Sequence, residues 1–156
     1  MPDNPTSPLT RPGAPIQTST IWGSERFLVN TPDTWVDLPG ATIPQQVGQG
    51  SPGFSALFVA VFSAESLVKV QGGNGICFLD ITFGGRGPHP ISDNHRFDSF
   101  IDLGSEWRSV TTTRIMEFPA QLPLVDATAQ VQVQYKGGKL VECGLQNWVL
   151  TIFRYN

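Results

Sequence analysis

The chain has 156 residues and a mass of 17.0 kDa, which suits one domain and leaves no room for two independent cores. Charged residues make up only 15%, Gly and Pro number 16 and 13, and 10 Phe, 4 Trp and 2 Tyr supply a core, so a helix-rich protein and a wholly disordered one are both excluded. The net charge is −3, the Lys and Arg residues are scattered, and the longest apolar run is residues 56–62; nucleic-acid binding and membrane insertion are therefore not expected.

Residues 1–20 differ from the rest. Pro2, Pro5, Pro8, Pro12 and Pro15 punctuate a polar run of Thr, Ser, Asn and Gly. Proline at that density disfavours helices and ladder pairing and favours extended, polyproline-like backbone. These residues read as an extended attachment arm, and residues 21–156 as the folded domain.

From Ile21 onward short strand-like runs alternate with turn residues. Runs at 26–29 and 35–38 are split by Asn30-Thr31-Pro32-Asp33, and Pro39-Gly40 predicts a turn before 41–43. Residues 56–62 are rich in Phe and Val, as in a strand buried on both faces. Runs at 67–70 and 76–83 flank Gln71-Gly72-Gly73-Asn74-Gly75, a hairpin signal. Residues 97–103 alternate, 109–118 carry a β-branched run, and in 129–135 Ala129, Val131, Val133 and Tyr135 face one way while Gln130, Gln132 and Gln134 face the other. A turn at 136–139 leads into 140–143, and 148–155 close the chain. In that last strand both faces are largely apolar, which predicts a central strand covered by a second sheet and, on its other side, by another subunit. Without a helical pattern, about ten short strands imply an all-β jelly-roll sandwich of 8–10 antiparallel strands.

Chemistry is hard to find in this pattern. Gly48-Gln49-Gly50-Ser51-Pro52-Gly53 has the letters of a dinucleotide loop, but a strand-like run follows where a helix is required. Asp93, His95 and Asp98 obey no metal-ligand spacing, and a solvated loop is the simpler reading. Glu65, Asp80, Glu106 and Glu117 would serve a glycan hydrolase only if two of them met in a cleft. No catalytic residue, cofactor or metal is assigned. Cys77 and Cys143 permit one disulfide, although buried thiols in strands are the commoner state. Among the tryptophans, Trp107 alone looks loop-borne and is the candidate surface contact; Trp35 and Trp148 read as core. The N-terminus has no signal-peptide pattern.

Trp35-Val36-Asp37-Leu38-Pro39-Gly40, the run 56–66, Gly75-Ile76-Cys77-Phe78, Val131-Gln132-Val133-Gln134 and Leu145-Gln146-Asn147-Trp148-Val149-Leu150-Thr151 form a series. Across residues 30–156 it resembles the small virion proteins of tailed phages of actinobacteria, minor tail proteins among them, with jelly rolls of the tumour-necrosis-factor type. The resemblance implies a homo-oligomer, a trimer with late strands lining a shared axis, and a virion location in a tail tip, a fibre or as capsid decoration. It gives the arm other virion proteins as partners. Val133, Trp148, Leu150 and Ile152 are the candidates for core or subunit interface. The alternative is a lectin-like module for host-surface glycans.

Overall fold

Ten strands make up the computed structural model, which describes residues 13–29, 31–70, 76–89, 107–121, 123–136 and 140–156. They are β1 (Gln17–Gly23), β2 (Phe27–Val29), β3 (Val36–Ile43), β4 (Gln46–Val47), β5 (Ala56–Val70), β6 (Ile76–Phe83), β7 (Arg108–Phe118), β8 (Val125–Asp126), β9 (Ala129–Lys136) and β10 (Leu140–Tyr155). All the ladders between them are antiparallel. The larger sheet has the order β1-β10-β5-β7, with β2 taking over from β1 along the same edge of β10; the smaller has the order β3-β9-β6, and β4 pairs with β8 as a short third ladder. The steps from β2 to β3, β5 to β6, β6 to β7 and β9 to β10 cross between the two main sheets, and the first and last strands lie side by side. The fold is thus the all-β, jelly-roll type of sandwich that the spacing of strands implied. The candidate strand at 97–103, the hairpin turn at 71–75 and residues 137–139 of the later turn lie outside the described residues.

The core forms where the inner faces meet. Alternate residues of β5 (Phe58, Ala60, Phe62), β9 (Val131, Val133) and β10 (Leu150, Ile152) are fully buried there. Phe58 stacks on Phe83 of β6 with ring centroids 5.5 Å apart and meets Phe118 of β7 edge-on at 5.8 Å, while Phe62 stacks on Trp148 at 6.4 Å. Such offset and edge-on pairs suit the ring quadrupoles. Small Ala60 between Phe58 and Phe62, and Ala64 beyond Phe62, let the sheets close.

Four features depart from the sequence expectations. Residues 63–66 do not break the chain: β5 runs unbroken for 15 residues, because Ser63 and Glu65 face outward while the ladder to β7 continues beneath them. β10 likewise runs for 16 residues through 144–147. Pro39-Gly40 is no turn between strands but a bulge inside β3, where the register against β9 slips between Asp37 and Thr42. Gln130 fills the slip, its Nε2 donating to the carbonyl of Leu38 at 3.2 Å while the Thr42 hydroxyl donates to its Oε1. Finally, Gln17–Gly23 pairs with β10 as a full strand, so residues 17–20 of the segment read as an arm lie in a ladder.

Two ties cross between the sheets. Cys77 of β6 and Cys143 of β10 are both buried, with Cα atoms 6.2 Å apart, and are joined as a disulfide, which corrects the expectation of separate thiols. Arg114 of β7, fully buried, places its Nε 3.5 Å from the Asp80 carboxylate of β6. A second buried cation, Arg154, braces β4: its Nη1 donates to the carbonyl of Gln46 at 2.7 Å and its guanidinium lies 5.3 Å over the Phe58 ring. Burial pushes the Arg154 pKa down.

Candidate functional site

The outer face of the larger sheet follows directly from the registers. Residues opposite one another share a face, and four successive rungs read Trp22–Val149–Ser63–Thr111, Thr20–Thr151–Val61–Thr113, Thr18–Phe153–Val59–Ile115 and Tyr155–Leu57–Glu117. The first three rungs hold no charged residue. Val149 is 39% exposed, Phe153, Val59, Val61 and Ile115 are half-buried, and Thr20 and Thr151 bring their hydroxyls within 3.0 Å. Charge is confined to the ends: Glu117 at one, and Glu65 at the other. There the amides of Gln146 (2.8 Å) and Asn147 (3.0 Å) donate to the Glu65 carboxylate and hold its pKa below the ordinary carboxylate value. Six of the twelve side chains in these three rungs are Trp, Phe, Val or Ile and six are Thr or Ser, so the face mixes apolar surface with hydroxyls and carries no charge, and its β-branched rows are well shaped to pack against another protein surface.

A groove of about 310 Å³ lies at one corner of the sandwich, lined by Trp22, Gly23, Ser24, Glu25, Arg26, Phe27, Leu38, Pro39, Gly40 and Trp148. Two irregularities open it. Between Gln146 and Val149 the register of β10 shifts, with Asn147 in the left-handed region (φ 48°), where β10 exchanges its β1 partner for β2. The residues that cross from β1 to β2, Ser24, Glu25 and Arg26, are thereby lifted off the ladder. Opposite them stands the β3 bulge, whose Gly40 has φ 79°. Bulges of this kind re-aim side chains and often flank binding sites. Between the two lies Trp148. A Cβ on Gly23 would come within 2.7 Å of its Cε2 and Cζ2 and within 2.8 Å of its Nε1, so only glycine leaves the indole uncovered there.

The tryptophans separate into distinct roles. Trp22 is 75% exposed on the groove rim; the β-prone run Thr18, Thr20, Ile21 that carries it was the overlooked signal. Trp107, the candidate surface contact, is half-buried, and the Arg26 guanidinium lies over its ring at 5.2 Å. Trp35 packs beside Phe78 on the outer face of the smaller sheet, with centroids 6.4 Å apart. Of the interface-or-core candidates, Val133, Trp148, Leu150 and Ile152 all sit in the core of the single chain, while their neighbours Val149, Thr151 and Phe153 face outward. Of the arm prolines only Pro15 is among the described residues.

The other candidates do not converge. Glu65 and Glu117 stand eight rungs apart on one ladder, roughly 26 Å at the rise of a strand, well beyond the 5–9.5 Å or so of a glycosidase pair. Asp80 faces Arg114, and Glu106 lies outside the described residues. The Gly48–Gly53 loop closes on itself, with the Ser51 Oγ 2.7 Å from the carbonyl oxygens of Gly48 and Gly53, and feeds strand β5. Asp93, His95 and Asp98 are outside the described residues, among which no group of metal-ligating side chains gathers.

No protein-family model matches the chain, and no curated protein matches it by sequence. Its fold is similar to that of the D431N mutant VP2 protein of infectious bursal disease virus in derived T=1 particles, over 98% of this chain and 35% of that one, at 9% identity and a TM-score of 0.52. The structure of infectious bursal disease virus Gx strain aligns over 87% of this chain and 32% of that one (11% identity, TM-score 0.47), and dimeric latent PorU from Porphyromonas gingivalis over 86% and 13% (12% identity, TM-score 0.39). The chain spans about a third or less of the length of these proteins. At 9% identity the likeness to the D431N mutant VP2 protein speaks for the sandwich fold alone.

Proposed function

We propose that the chain is a structural component of a virion, a homo-oligomer built through the outer face of the larger sheet and attached to other virion proteins through its Pro-rich N-terminal segment. The observation that carries this reading is the uncharged run of three rungs from Trp22–Val149 to Thr18–Phe153, a surface suited to a protein neighbour and offering no group to a reaction. The sandwich it shares with a VP2 protein found in derived T=1 particles supports the class of role. The resemblance to tailed-phage minor tail proteins points the finer assignment to a trimer in a tail tip or fibre. Light scattering tests the assembly: the expected mass is three times 17.0 kDa, and a single-chain mass at every accessible concentration overturns it. Mass spectrometry of purified particles tests the location, with the chain expected in fixed proportion to the other particle proteins and its absence overturning the virion reading.

A second reading, a carbohydrate-binding module, is favoured by one observation: the groove sets the exposed Trp22 beside Glu25 and Arg26, an aromatic platform flanked by polar groups. A glycan array with the native chain tests it, and no binding across bacterial surface glycans rejects it.

A further inference from the structure

We propose that the corner groove is a receptor for the Pro-rich N-terminal segment of a neighbouring copy, which docks there as a polyproline II helix. The proposal deepens the self-assembly reading and rests on it for the identity of the neighbour.

Three observations meet in the groove. The first is its chemistry. Aromatic grooves recognise polyproline helices because the proline rings pack on flat indole surfaces and little conformational entropy is lost on docking. Here Trp22 stands exposed on one wall and Pro39 on the other, with Trp148 beneath.

The second is an open donor edge. Trp148 is only 5% exposed, but the edge that carries its Nε1 lies directly under Gly23, where the absence of a side chain leaves it uncovered. A polyproline II backbone makes no internal hydrogen bonds, so its carbonyls are free to accept.

The third is the period of the segment itself. Pro2, Pro5, Pro8 and Arg11 recur every three residues. With three residues per turn in polyproline II, they line one edge of that helix. Three proline rings on a single edge match an aromatic groove, and Arg11 on that edge meets a rim that carries Glu25 and also Arg26, whose guanidinium is turned over the Trp107 ring. A saccharide fits less well: it stacks on ring faces, and the groove offers Trp148 through its Nε1–Cε2–Cζ2 side, with Phe62 stacked against the ring on the core side.

The N-terminal segment joins the domain at the Gln17 end of β1, and the groove lies at the Gly23 end, roughly 20 Å along the strand. The choice of a neighbour's groove over the chain's own rests on the self-assembly reading.

The test uses full-length chains. A fluorescent peptide of residues 1–12 is titrated into a chain whose own Pro2, Pro5 and Pro8 are replaced by Ala, and anisotropy is read. Saturable binding is expected, weakened at least tenfold by Trp22→Ala in the receiving chain and abolished when the peptide's prolines are Ala. The altered peptide leaves the folded chain untouched, so the result does not hinge on the Trp22 variant. Absence of binding, or binding indifferent to both changes, overturns the proposal, as does quenching of Trp22 by bacterial surface saccharides that compete with the peptide. A mixing experiment then addresses the neighbour. A Glu25→Lys chain with an intact segment, which leaves the sheet face unaltered, and a proline-less chain with an intact groove are expected to associate together more than tenfold more tightly than either does alone. Peptide binding without that complementation overturns docking between copies. Native chains that remain oligomeric while the peptide fails to bind reject the groove proposal alone, whereas native chains that stay monomeric reject the assembly reading itself.

Discussion

The two sheets of this sandwich share one core but turn opposite characters outward. On the smaller sheet the outer rows are Trp35 and Gln134 with Phe78, Asp37 and Gln132 with Asp80, and Thr42 and Gln130 with Thr82. Their polar groups have partners within the chain: Gln132 Nε2 donates to Asp37 at 2.8 Å, Gln130 stitches the β3 bulge, and Asp80 meets Arg114 of the larger sheet. On the larger sheet the outer rows are Thr, Val, Ile and aromatic residues with charge only at the ends. A face whose side chains already satisfy one another loses little by meeting water, whereas an apolar one gains by losing it. On this asymmetry rests the proposal that the larger sheet carries the contact with a partner.

The largest expected effect concerns what keeps the two faces on one body. The Cys77–Cys143 bridge closes a loop with a sequence separation of 66, and replacing both by Ser is expected to lower stability by about 4 kcal/mol on the chain-entropy account. Urea unfolding of the two proteins under oxidising conditions checks this; equal midpoints would show that the bridge is not formed in solution.

Next come charges placed on each face. Val61→Lys on the larger sheet is expected to weaken self-association at least thirtyfold, about 2 kcal/mol, because an unpaired ammonium must be desolvated in the contact. Gln132→Lys on the smaller sheet is expected to leave the mass unchanged. Sedimentation of the pair decides: equal effects would erase the contrast between the faces.

A smaller effect is expected from Gln130→Ala, which removes the amide that bridges the β3 bulge and should cost about 1–2 kcal/mol, with a local rise in amide exchange at Leu38–Thr42. The least is expected at the rim of the larger face. Glu65 is held below its ordinary 4.5 by the Gln146 and Asn147 amides, so its contribution is complete above that value and fades as the pH falls through the lower folded value. Melting temperatures in the acid range should therefore drop slightly more steeply for the native chain than for Glu65→Gln.

Much of this architecture can be read without coordinates. The alternation of Val131, Val133 and Tyr135 with three glutamines identifies β9 and its two faces, and the doubly apolar run at 148–155 identifies a strand with neighbours on both sides, as β10 has in β1 and β5. The site is less legible. Trp22 reads as one of four tryptophans able to stack on a sugar, with nothing to single it out, yet it is the most exposed large hydrophobic among the described residues, and Trp107 reads as a surface contact yet lies half-buried beneath Arg26.

Side-chain period, turn residues and the scarcity of charge are local properties, and they suffice for the class of fold, the strands and the inward-facing residues. Three matters escape them: that polar stretches such as 63–66 continue a strand, that Pro39-Gly40 makes a bulge, and that Gly23 and Gly40 uncover one edge of Trp148. Each is settled by what lies across the ladder or across the core, a contact between residues far apart in the chain. A strand's length is set by how far its neighbour keeps pairing with it, and a groove exists only where two such ladders slip at the same corner.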